Sequence, residues 1–179
     1  MNYSQRRQQA VDLLNSLKLD ALVLCAQDNL RYLCGFTGSD GALIISAEQL
    51  VFLTDSRYTT QAGFEVSADR IEEYKIKSDA IVAVLASLAV KVVGFEASLA
   101  VGAFNDLRGK GERDWQWLHL QDEIQSLRLH KSADEIRLIS AAAELNQASF
   151  AEIRPMIRPG VRESENWASR RRRAAARPA

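Results

Sequence analysis

The chain has 179 residues, 47% of them hydrophobic and 26% charged. This is the profile of a soluble globular protein of one ordinary domain plus an appendage, and it excludes a disordered, collagen-like or disulfide-stapled chain. Its 23 basic and 23 acidic residues cancel, but five arginines lie in residues 166–179 without an acid, so residues 1–165 carry a net charge of −5 and make a poor polyanion binder.

In chain order, residues 4–17 read as an amphipathic helix, with Val11, Leu14 and Leu17 at three-residue steps. Ala21–Cys25 is a short apolar run that suits a buried strand. Asp28–Cys34 follows as a short helix with Gln27 or Asp28 at its cap and Gly35 as its stop. Gly35-Phe36-Thr37-Gly38-Ser39-Asp40-Gly41 is a loop with three glycines in seven residues. Ala42–Ser46 and Leu50–Thr54 form a hairpin, so the sheet cannot be wholly parallel. Then come a helix at 57–63, a strand at Ile71–Ile76, an apolar helix at 79–90 capped by Ser78, and a strand at Lys91–Glu96. A helix at 98–107, a polar turn at Arg108–Arg113, a strand at Trp115–Leu120 and a helix at Asp122–His130 complete the alternation. The expected fold is α/β, a mixed sheet flanked by helices.

A further long helix is expected after Ser132-Ala133-Asp134-Glu135, a capping box, with an apolar stripe from Ile136 to Ile153 and Pro155, Pro159 and Gly160 ending it. That stripe has no obvious partner in the chain. The longest apolar stretch, Ala80–Val90, has eleven residues, too few for a membrane span, which needs roughly 20. No signal peptide is visible, and Cys25 and Cys34 form no CxxC pair; a reduced, cytoplasmic protein is expected.

No catalytic constellation assembles from the residues. His119 and His130 have no ligand-spaced neighbours, there is no GxSxG, and GFTGSDG precedes a strand, so it lacks the helix N-terminus of a phosphate cradle. Asp55-Ser56-Arg57-Tyr58 follows a strand end, where functional polar groups often sit; its plainer reading is a helix cap, Asp55, paired with Arg57. The Arg170–Arg173 run has no aromatic interleaving and no folded scaffold to present it to nucleic acid.

Four segments in register resemble the creatinase/prolidase family of X-Pro dipeptidases and aminopeptidases. They are Asp20-Ala-Leu-Val-Leu with Asn29-Leu-Arg-Tyr32-Leu-Cys-Gly35-Phe36-Thr-Gly38-Ser39, then Leu53-Thr-Asp55-Ser-Arg57-Tyr58-Thr59-Thr-Gln61-Ala62, then Leu127-Arg-Leu-His-Lys131-Ser132-Ala-Asp-Glu135-Ile136, and Ile157-Arg-Pro159-Gly160-Val161-Arg-Glu163-Ser-Glu165. The resemblance implies a ribonuclease H-like N-terminal domain at 1–125, a linker and first helix of a pita-bread catalytic domain at 126–165, and an unrelated basic tail at 166–179.

In the intact family two divalent ions, such as Mn, Zn or Co, activate a water against the X-Pro amide. None of their ligands can be assigned to this sequence, so no catalytic or metal residue and no cofactor is expected here. The abrupt change after Glu165 is what a reading-frame shift in a GC-rich gene would produce. The expectation is therefore a truncated X-Pro peptidase relative, inactive alone, forming a homodimer and binding neither nucleic acid nor membrane.

By resemblance, Phe36, Thr37, Ser39 and Asp40 occupy a loop that shapes the neighbouring subunit's substrate pocket. Asn29, Tyr32, Gly35, Asp55, Arg57 and Tyr58 are expected to be structural. A stand-alone α/β module binding a small ligand or a protein at 35–41 is the alternative.

Overall fold

Continuous apolar runs on three short strands, buried on both faces, decide the architecture. In the computed structural model, which describes residues 2–162 and Ser164, the strands are β1 (Ala21–Leu24), β2 (Ala42–Ser46), β3 (Leu50–Thr54), β4 (Arg70–Glu73), β5 (Val92–Glu96) and β6 (Gln116–Leu120). They form one sheet in the order β4-β3-β2-β1-β5-β6. β2 is antiparallel to both β1 and β3, and the other three pairings are parallel.

Because successive side chains point to opposite faces, Leu22, Leu24, Leu43, Ile45, Leu50 and Phe52 fall on one face. Ala21, Val23, Ala42, Ile44, Val51 and Leu53 fall on the other. The first face packs under helices α1 (Tyr3–Leu17) and α2 (Gln27–Cys34), through Ala10, Leu14, Leu30 and Leu33. The second packs under α4 (Lys77–Ser87) and α5 (Val101–Lys110), through Ile81, Val84, Leu85 and Leu107. The mixed sheet flanked by helices is the α/β arrangement that the pattern predicts. Each fully buried Leu or Ile contributes roughly 1.5–3 kcal/mol of transfer free energy.

Several boundaries differ from the sequence expectation, each for a local reason. Helix α3 is Thr59–Glu65 rather than 57–63, because residues 55–58 form a turn in which Tyr58 N–H bonds the Asp55 carbonyl. Helix α4 starts at Lys77 without a side-chain cap; the Ser78 hydroxyl accepts from Lys110 Nζ at 2.8 Å instead. Strand β4 is Arg70–Glu73 rather than the expected 71–76, its register with β3 ending at Thr54. Residues 97–100 turn before α5 begins, and α5 runs on to Lys110, which pairs with Asp106 one turn back. The helix expected over 122–130 is α6 (Asp122–Ser126). Beyond it, Leu127, Arg128 and Leu129 each bond the carbonyl three residues back, a tightening of the kind common at helix ends.

The chain divides into two units, 1–130 and 131–179. The second is built on α7 (Ala133–Ile153), whose capping box is formed as predicted: Ser132 Oγ accepts from Glu135 N–H at 3.3 Å and Glu135 reciprocates at 2.9 Å. A short 3-10 turn, Arg154–Met156, follows. No residue of α7 is buried, and Ile136, Ile139, Leu145 and Phe150 are each more than half exposed. Among the described residues no helix is long and apolar enough to cross a membrane. The Arg170–Arg173 run and Arg177 lie outside the described residues.

Candidate functional site

The loop joining α2 to β2 is held from below before it offers anything outward. Gly35 ends α2 at φ +91°, a left-handed conformation that glycine adopts without steric cost, and a Cβ there would meet Glu65 O and Tyr3 Oη at 2.9 Å. Phe36 points inward, 1% exposed, with its ring 4.7 Å from that of Phe52 and edge-on to Tyr58 at 5.7 Å. Its part in any pocket is therefore support. Thr37 is tied to α3: its N–H donates to Glu65 at 2.8 Å and its hydroxyl donates at 2.9 Å, while Gln61 bonds both partners at 3.0 Å. These bonds, the Thr37 N–H first, hold the Glu65 carboxyl below the usual range.

The polar residues that the sequence places apart converge at this edge of the sheet. The Ser39 and Tyr58 hydroxyls share a bond of 2.5 Å. The Asp40 carboxylate pairs with Lys77 and lies 3.6 Å from Arg57. Asp55 accepts from the Arg57 N–H at 2.9 Å and from its guanidinium at 2.6 and 3.0 Å, which keeps the carboxyl below the ordinary aspartate range. Asp55 thus closes a turn on Arg57 two residues on; the helix cap position belongs to Tyr58. Thr37 and Ser39 are exposed and Asp40 is half-buried, so the loop presents two hydroxyls and one carboxylate between two cations. Such a set can bind and orient a polar ligand; it contains no nucleophile activated by a base.

Asn29, Tyr32 and Gly35 do different work. Asn29 is buried and donates through Nδ2 to Glu96 at 2.7 Å. The Tyr32 hydroxyl donates to Leu127 O at 2.5 Å, and the Arg6 guanidinium lies 4.1 Å over its ring. Both residues fasten α2 to distant chain.

Two residues were invisible to sequence reasoning. Glu96, at the end of β5, is 4% exposed and accepts from the N–H groups of Cys25 at 2.7 Å and Ala26 at 2.5 Å. It ties the chain entering α2 from 70 residues away, while neither Gln27 nor Asp28 is the expected cap: the cap residue is Ala26, which has no side-chain acceptor. Burial and this carboxylate push the Cys25 thiol up to about 12. Tyr74 is buried and its hydroxyl makes no bond of ordinary geometry; burial and the nearby Asp40 carboxylate raise it well above the usual phenol range. Only the period of the sheet, once known, places Glu96 and Tyr74 beside the loops.

Among the described residues no group of three or more His, Cys, Asp or Glu side chains could hold a metal ion, so these residues do not fit a two-metal centre.

The described residues thus form a mixed six-stranded sheet with a fastened α2–β2 loop at one edge. The chain belongs to the creatinase/prolidase family: the sequence profile of the Creatinase/Prolidase N-terminal domain matches residues 6–130. It is 31% identical over 158 residues to Uncharacterized peptidase YqhT of Bacillus subtilis, covering 85% of this chain and 43% of that protein. The Xaa-Pro dipeptidase from Bacillus anthracis superposes with a TM-score of 0.85 at 26% identity, covering 92% of this chain and 46% of that one. The N-terminal domain of the cytoplasmic peptidase PepQ from Mycobacterium tuberculosis superposes with a TM-score of 0.65 at 28% identity, covering 69% of this chain and 98% of the other. The chain thus spans less than half the length of the curated relative it matches at 31% identity.

Proposed function

We propose that this chain provides the non-catalytic N-terminal domain of an X-Pro peptidase system, shaping the substrate pocket of a neighbouring subunit through Thr37, Ser39 and Asp40. One observation carries the reading: the 36–40 loop is anchored at Phe36, at Thr37–Glu65, at Ser39–Tyr58 and at Asp40–Lys77, while the Thr37 and Ser39 side chains stay exposed. A plain connecting turn needs no such set of long-range ties. Rigid presentation of a few polar groups is what a pocket wall requires. Asp55, Arg57 and Tyr58 are the buttress behind the loop.

In this reading bond cleavage is the work of the family's metal-bearing catalytic domain. Self-association into a homodimer is part of the proposal and rests on the apolar stripe of α7. A reducing cytoplasm suits two unpaired cysteines, Cys25 and Cys34.

The test is a chimera in which residues 1–130 replace the matching domain of the Bacillus anthracis dipeptidase. Ser39→Ala with Asp40→Ala should raise KM for an Xaa-Pro dipeptide by about 5–10-fold and leave kcat within about threefold, the signature of lost binding rather than lost chemistry. An unchanged KM removes the loop from the pocket.

A further inference from the structure

Away from the 36–41 loop, the C-terminal ends of β1, β5 and β6 surround a pocket of about 160 Å³. The chain leaves β1 towards β2 on one side and returns to β5 on the other. The gap between β1 and β5 is therefore the point where strand order reverses, the usual seat of ligands in open α/β sheets. Every wall of the pocket belongs to the first unit.

The polar groups of this pocket are not used up. Arg128 Nε is buried without a hydrogen-bond partner, and the nearest oxygen of its ion pair, on Asp28, is 3.6 Å from Nη1, beyond hydrogen-bond length. Glu96 takes two N–H groups on Oε1 but only Asn29 on Oε2, so one of about four carboxylate acceptor positions stays open. Ser98, Gln121 and Gln125 line the same space and are open to solvent. The Arg128 side chain as a whole is about one-third exposed, so an acceptor in the pocket can meet it, and turning its buried Nε–H to that acceptor would relieve a cost of roughly 1–3 kcal/mol.

The charges choose the ligand. Two carboxylates, Asp28 and Glu96, face one guanidinium, which disfavours a simple anion. The guanidinium and the lack of a third acid disfavour a metal ion. A molecule carrying both signs satisfies all three: its carboxylate takes Arg128, and its ammonium takes Glu96 Oε2 and the Asp28 that Arg128 releases. The volume is about half that of the smallest drug-sized pockets, which restricts the ligand to roughly ten non-hydrogen atoms. We propose that this pocket binds a free α-amino acid, at a site separate from the 36–41 loop and independent of its role.

The experiment is an NMR titration of the whole chain with L-alanine and L-proline, set against sodium acetate and methylamine. The expected result is saturable, millimolar shifts at Asn29, Gln121, Gln125 and the Arg128 Nε–H with one or both amino acids, and at least about tenfold weaker effects with either half-molecule. Arg128→Gln should weaken binding by about tenfold or more. Ser98→Leu, at an exposed rim position, should also weaken it, and it carries the test if the first variant does not fold. Absence of saturation with both amino acids, acetate binding as tightly as the zwitterions, or binding unaffected by the variant that folds overturns the proposal.

Discussion

Glu96 shows how one side chain can hold three parts of a domain. Its carboxylate joins the end of β1, the start of α2 and the Asn29 amide, all from the last position of β5. Replacing it by Gln keeps the shape, removes the charge and turns half the group into a donor facing N–H groups. Urea unfolding of Glu96→Gln should show a loss of about 2–4 kcal/mol, since charge-assisted bonds to a buried group are among the costlier to break; a loss below about 0.5 kcal/mol would mean that α2 does not depend on it. Gly35→Ala should destabilise by more than about 1 kcal/mol, because it meets both a positive φ and two oxygens at 2.9 Å. The Gly35 stop was legible in the sequence because a helix end followed by glycine is a local signal. Glu96 was not, because a tie supplied from 70 residues away leaves no trace in spacing.

Among the elements, those whose signal is local stand where the sequence put them. β1, β2 and β3 announce themselves by continuous apolar runs, and α7 by its capping box. The misplaced boundaries, at α3, α5 and α6, are set by turns and by long-range bonds such as Tyr32 to Leu127. The convergence of Asp40, Arg57 and Lys77 was likewise hidden, since Lys77 arrives only through the placement of α4.

The ties between these elements predict acid sensitivity. Glu65 is held low by the Thr37 N–H, and Asp69 by Arg7 and the Leu50 N–H. Each folded value lies below its unfolded one, so the stability they add is complete above about pH 4–4.5 and is lost as pH falls through the lower folded values. Thermal melts should fall between pH 6 and pH 3, and less steeply in Glu65→Gln; a melt flat across that range would contradict the assignment.

At the scale of the whole molecule, an acidic N-terminal body folds around its own two-sided core, while the second unit exposes the apolar stripe of α7. Patches of that kind seldom stay in water. Sedimentation at tens of micromolar should therefore give about twice the mass of one chain, and a clean monomer would remove self-association from the account. The family was legible from four motifs in register. The amino-acid pocket was not, because Glu96, Gln125 and Arg128 come from segments whose neighbourhood only the sheet order creates.

The central claim is that this chain supports Xaa-Pro hydrolysis without performing it. The most direct measurement is release of proline from an Xaa-Pro dipeptide in the presence of manganese, by the purified 179-residue chain and by the chimera that adds a catalytic half. The account predicts chelator-sensitive turnover by the chimera and none above background by the chain. Metal-dependent turnover by the chain alone would contradict it.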